Sequence, residues 1–243
     1  MIKRNYYKIV RIFPDPSSYF YIKNETMSES MFMFRGGWLS TVNLEYSFDK
    51  VNWKSYNGDL YIPADGYLYF RNTSGTFCTS EYDSIFYLYD NFSIGGDIRT
   101  LFNYTDVDSV TKIPDYGFSY PISFQGDFKI TDISNLSFRG ITEIGNYGLY
   151  ETFSWNHIGT KGVDLRDVTT LGERALNNLY YDNHNLKEAY APNVSTWDEN
   201  KTSIWLSNVA STGVLYKPST LTIPTRTSSG VPSNWTTQDY PTE

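Results

Sequence analysis

The sequence predicts a mainly β protein: an N-terminal antiparallel β-sandwich-like module, a short irregular repeat region and a C-terminal β cap. Three observations predict it. The chain favours strand and turn formers, with 22 tyrosines, 15 phenylalanines and 17 glycines in 243 residues. Short apolar runs separated by turn signals crowd its N-terminal part. A nine-residue phrase recurs in its C-terminal part.

Residues 1–19 read as an arm. "MIKRNYYKIVR" carries Lys3, Arg4, Lys8 and Arg11 and no acid, whereas the whole chain has a net charge of −7. A basic segment on an acidic chain suits docking to an acidic partner surface. Lysines on an edge strand also discourage stray pairing.

Residues 20–97 read as the sandwich-like module. "SYFYIKN" and "SMFMFRGGW" are strand-like runs, the second ended by Gly36 and Gly37. Leu44, Tyr46 and Phe48 alternate with polar residues, as on a half-buried strand. Asn57-Gly58 marks a turn before "DLYIP". In "YLYF", Tyr67 and Tyr69 face opposite to Leu68 and Phe70. Trp53 and Phe70 are expected in the core.

Residues 98–200 carry the repeat. "VTKIPDYGF" at Val110, "ITEIGNYGL" at Ile141 and "VTTLGERAL" at Val168 align at offsets of 31 and 27 residues. Each places a small residue (Gly117, Gly148, Ala175) before a large apolar one (Phe118, Leu149, Leu176). Such self-similarity signals stacked units that bury a shared apolar face. Ile130, Val163 and Leu186 are expected to open a layer of short strands, continued by Ile133, Leu165 and Ala189. "GERALNNLY" has a weak helical pattern, expected as a turn or short helix on the opposite face. Residues 201–243 show no repeat and read as the cap, with Trp205 and Trp235 over the last unit.

The acidic balance argues against general nucleic-acid binding. No apolar run is long enough for a transmembrane helix, and no signal-peptide pattern opens the chain. The single cysteine, Cys78, allows no internal disulfide and reads as a small buried residue. Asn-X-Ser/Thr triplets, for example at Asn24 and Asn72, reflect a chain rich in these residues.

No nucleophile, phosphate-loop or dinucleotide motif is present. His157 and His184 fall at nearly equivalent repeat positions, with Asp182 nearby in sequence. They read as turn-tolerant spacer residues in preference to metal ligands. Asp164, Asp167 and Glu188 are the carboxylates that stacking would bring together, as a glycosidase needs, but acids are common on solvated repeat faces. Aromatic residues are the better lead. Tyr180, Tyr181, Tyr190, Trp155 and Trp197 are the candidate contacts for a partner or a glycan.

"LGERALNNLYYDNHNLKEAYAPN", residues 171–193, resembles a leucine-rich repeat of the BspA-like type, in Leu171, Gly172, Ala175, Leu176, Leu186, Ala189, Ala191, Pro192 and Asn193. "LEYSFDKVNWKSY", "FSIGGDIRTLF" and "WLSNVASTGVLYKP" are similar to phrases that flank such repeats in proteins of gut Bacteroidales and their crAss-like phages. The resemblance implies a non-enzymatic virion structural protein, such as a head decoration, head fibre or tail accessory, made in the host cytoplasm. Its implied partners are capsid or tail proteins and further copies of itself, with a host-surface glycan or protein as receptor. It implies no cofactor, nucleic acid or membrane insertion. The alternatives are a carbohydrate-binding adhesin on a phage or bacterial cell surface and, more weakly, a glycan-active enzyme.

Overall fold

The computed structural model describes residues 19–34, 44–56, 59–73, 86–124, 129–225 and 228–241. Lys3, Arg4, Lys8, Arg11 and Cys78 lie outside these residues.

The N-terminal strands are β1 (Phe20–Asn24), β2 (Ser30–Phe34), β3 (Leu44–Ser47), β4 (Lys54–Ser55), β5 (Leu60–Ile62), β6 (Tyr67–Asn72), β7 (Phe86–Leu88) and β8 (Phe92–Asp97). Antiparallel pairing orders them β4-β3-β6-β1-β8 in one sheet and β5-β2-β7 in the other. Alternation dictates their faces. Phe20, Ile22, Leu68 and Phe70 point inward from the first sheet and are fully buried, as are Phe32, Ile62 and Leu88 from the second. Phe32 meets Phe70 across the interface, with ring centroids 5.4 Å apart. Each such side chain contributes roughly 1.5–3 kcal/mol by leaving water. Asn24 shares this buried face and is satisfied there: its Nδ2 donates to the carbonyls of Ser28, Ile62 and Pro63. Asn24 and Asn72 are fully buried, so neither triplet asparagine is a surface group.

The repeat region grows out of both sheets. β10 (Ile122–Phe124) adds to β7 and β11 (Ile130–Ser137) adds to β8, each in parallel. One contiguous apolar core therefore runs from Phe20 to Trp235. At the junction lie a short helix, α1 (Thr100–Asn103), and a buried ion pair. Arg99 Nη2 is 2.7 Å from Asp97 Oδ2, and Asp97 Oδ1 accepts from the Arg99 amide. The Thr100 hydroxyl accepts from the Phe20 amide and donates to the Asp97 carbonyl.

Two parallel ladders then climb the coils. β9 (Lys112–Ile113), β12 (Glu143–Ile144) and β13 (Thr170–Leu171) stack Ile113, Ile144 and Leu171. β14 (Glu188–Tyr190), β15 (Gly213–Lys217) and β16 (Trp235–Asp239) form the second ladder. Lys161 is bridged to Glu188 at its start, so the register differs from the expected match of Val163 with Leu186. The expected interior residues Ile130, Ile133, Val163, Leu165, Leu186 and Ala189 are nonetheless all buried. Tight contact accounts for the glycine in the first two units: a Cβ at Gly117 would lie 3.0 Å from Ile113 Cγ2, and one at Gly148 2.6 Å from Ile144 Cγ2.

The segments between the ladders are chains of turns and not helices. Their backbone enters the left-handed region every fourth residue, at Tyr147, Glu151 and Trp155, and again at Arg174, Asn178 and Asp182. A right-handed helix cannot pass such residues. Their amides bond between coils instead. Leu149 donates to Ala175 and Phe153 to Leu179. The same ladder continues beyond the third unit: Leu176 donates to Lys201, Tyr180 to Trp205 and Asp182 to Ser207. A further coil thus occupies the first residues of the expected cap. It escapes the sequence pattern because Thr202 stands where the other coils place Phe118, Leu149 and Leu176. Trp205 and Trp235 close this end, their indole N–H groups donating to the Gly230 and Ala210 carbonyls.

Candidate functional site

The outer face of the first sheet is carpeted with rings and cations. β1 contributes Tyr21 and Lys23, β6 contributes Tyr67, Tyr69 and Arg71, and Tyr19, Trp53 and Tyr104 close one side. Trp53 corrects the expectation that it is core. It stands on this outer face, 4.5 Å from the Tyr19 ring, with its indole N–H donating to the Lys50 carbonyl. Only alternation places it, and the short β4 has too few residues to display any.

Arg71 is the centre of the patch. Its guanidinium carbon is 4.1 Å from both the Trp53 and the Tyr104 ring centroids, and its Nε is 2.7 Å from Glu45 Oε2. Lys50 lies 4.6 Å from the Tyr69 centroid and Lys23 5.8 Å from that of Tyr67. Tyr67 and Tyr69 stack with planes 5° apart, and Tyr67 is 39% exposed. The Tyr21 ring reaches over β8, where Gly95 leaves room for it. Burial first, then Tyr67 and Asp132, pushes its hydroxyl up to about 12. The Asp65 carboxylate, 2.7 Å away, holds the Lys23 ammonium above its ordinary range. Tyrosine, tryptophan and arginine are the residues that dominate protein interfaces, through area and cation–π attraction.

The aromatic residues singled out in the repeats separate into three groups. Tyr180 is fully buried, which removes it as a contact: its ring stacks on Phe153 at 5.8 Å and its hydroxyl accepts from the Val163 amide at 2.9 Å. Its neighbour Gly162 permits this approach. Tyr190 is also largely covered, at 7% exposed, stacked on Tyr216 at 4.9 Å with Lys161 and Arg166 over its ring. Burial, then Glu188, raises its hydroxyl pKa. Trp197 ties the last coil to the cap, its indole N–H donating to the Ser229 carbonyl.

Trp155 and Tyr181 remain at the surface. Trp155 is 53% exposed, and its ring meets that of Tyr181 edge-on, 4.9 Å away at 86°. Asp182, His184 and Asn208 stand beside them: Asn208 Nδ2 donates to Asp182 Oδ1, and His184 Nε2 lies 3.6 Å from the same oxygen.

Compared with protein-family models, curated proteins and solved structures, the chain matches none.

Of the carboxylates considered for glycoside chemistry, Asp164 and Glu188 both act on the Tyr190 hydroxyl. Asp164 is bound to Arg166, whose Nη2 is 2.8 Å from Asp164 Oδ2, and Asp167 accepts from the Gly140 amide. No group of three or more metal-ligating side chains occurs among the described residues. The same residues hold no helix long and apolar enough to cross a membrane. The sheet-face patch was missed in the sequence. Its signal was present in the outward alternation of Tyr67 and Tyr69, but pairing with Tyr21 and Arg71's clamp depend on strand order.

Proposed function

We propose that the chain is a non-enzymatic structural protein of a bacteriophage particle, docked through the outer face of its six-stranded sheet and displaying its repeats outward. The observation that carries this reading is the clamped Arg71 between Trp53 and Tyr104, on the same sheet face as the stacked Tyr67 and Tyr69. The virion setting comes from the resemblance of residues 171–193 and their flanks to BspA-like proteins of gut Bacteroidales phages. The partner is a particle protein whose surface combines apolar and acidic groups. Arg71, Lys23 and Lys50 line the patch, and the chain reaches it at Tyr19, directly after the segment that holds Lys3, Arg4, Lys8 and Arg11. Within the patch Arg71 is paired with Glu45 and Lys23 with Asp65, so the charge that steers this face to its partner comes from the basic segment, on a chain of net charge −7.

Quantitative mass spectrometry of purified particles tests the reading. The expected result is the chain in many copies alongside capsid or tail proteins. Its absence from particles, with the protein confined to host-cell fractions, overturns it. Deleting residues 1–12 is expected to lower incorporation while leaving a folded protein.

A further inference from the structure

We infer that Trp155, Tyr181, Asp182, His184 and Asn208 form a binding site for a neutral pyranose glycan on the turn face of the repeats. This site is independent of the docking role of the sheet face.

Trp155, Asp182 and Asn208 occupy the same position in successive coils, shown by the bonds from the Trp155 amide to Tyr181 and from the Asp182 amide to Ser207. All three are left-handed, with φ of 60°, 64° and 55°. Aspartate and asparagine tolerate that conformation, and a bulky aromatic gains nothing from it. Tryptophan at this place is also poorly buried. It is the most exposed tryptophan among the described residues. Neither local conformation nor the core explains its presence, whereas a flat apolar platform held in solvent does.

The platform is preorganised. The Trp155 ring is held edge-on against Tyr181, and the turn that carries it is pinned by the coil ladder. Polar groups fringe it on one side. Asp182 supplies carboxylate oxygens for a pair of vicinal hydroxyls, and exposed His184 and Asn208 supply further donors and acceptors. Coils one ladder step apart stand about 4.8 Å from each other, so the row from Trp155 to Asn208 suits one or two sugar rings. The sugar's C–H face stacks on the indole while its hydroxyls meet the fringe. Asp182 and the acidic chain as a whole disfavour anionic sugars.

The test uses the full chain against an array of neutral hexose and N-acetylhexosamine oligosaccharides, followed by titration calorimetry with the best of them. The wild type is expected to bind. Trp155→Asn should weaken binding about tenfold or more while its melting temperature holds or rises, because asparagine suits the left-handed turn. Asp182→Asn should weaken binding as well, and Tyr67→Ser, on the sheet face, should leave it unchanged. The inference is overturned by a wild type that binds none of these sugars at millimolar concentration, even if it binds a protein there. It is equally overturned by a Trp155→Asn protein that binds as the wild type does.

Discussion

The Tyr21 ring lies across Gly95 of the neighbouring strand, so closely that a Cβ at Gly95 would collide with the Tyr21 hydroxyl. This contact lets the Tyr21 ring meet the Tyr67 and Tyr69 rings edge-on, 5.3 and 6.1 Å away, on the outer face of the sheet. Gly95→Ala should displace Tyr21 and destabilise the fold by about 1–3 kcal/mol, read as a lower midpoint in urea. The same substitution in a Tyr21→Ala background should cost much less, because nothing is left to collide with.

Tyr180 is a core residue with one polar task. Tyr180→Phe keeps its ring on Phe153 but leaves the buried Val163 amide without its acceptor, at a cost of roughly 1–3 kcal/mol. Tyr180→Ala should cost about 3–5 kcal/mol. Chemical denaturation of the two variants separates the hydrogen bond from the packing.

Alkaline pH should unfold the protein through its buried phenols. Tyr21 is pushed up to about 12 in the fold, from 10.0, and burial raises Tyr180 and Tyr240 as well. A raised folded-state pKa means that the proton is held more tightly in the fold. The stability contribution is complete below pH 10.0 and is lost as pH rises towards about 12. Thermal melts across this window should show the loss, and Tyr21→Phe should flatten it. Absorbance titration should find tyrosines that ionise only near unfolding.

Ile204 holds a left-handed turn at φ 60°, where the preceding coil uses Asn178 at φ 56°. A β-branched residue there is strained by about 1–2 kcal/mol. Ile204→Asn should therefore raise the melting temperature despite removing a partly buried side chain. A fall would show that Ile204 packing outweighs the turn.

These positions also show what the sequence made legible. The small residues Gly117, Gly148 and Ala175 and the apolar ones after them gave the coil, because each unit solves the same packing problem against its own aliphatic neighbour. Alternation in "YLYF" gave the inward and outward faces of β6. The last coil was hidden because its backbone ladder needs amides and carbonyls, not a particular side chain, and Thr202 breaks the apolar pattern. Left-handed residues such as Trp155 and Glu151 were hidden as well, since stacking between coils overrides their own preference and turns a helix-like pattern into successive turns. For the candidate sites, exposure decided. Trp155 and Tyr181 stayed at the surface, Tyr180 and Tyr190 did not, and the clamp on Arg71 required four separate segments to meet.

Docking through the sheet face is the centre of the account, and a particle-incorporation assay tests it most directly. A Tyr67→Ser, Tyr69→Ser, Arg71→Gln protein should keep its fold, since all three side chains point away from the core and glutamine faces Glu45 without repulsion, and its melt confirms that before assembly. Expressed beside the wild type during particle formation, it should be recovered from purified particles only at background level. Recovery of the folded variant in the same amount as the wild type would contradict the account.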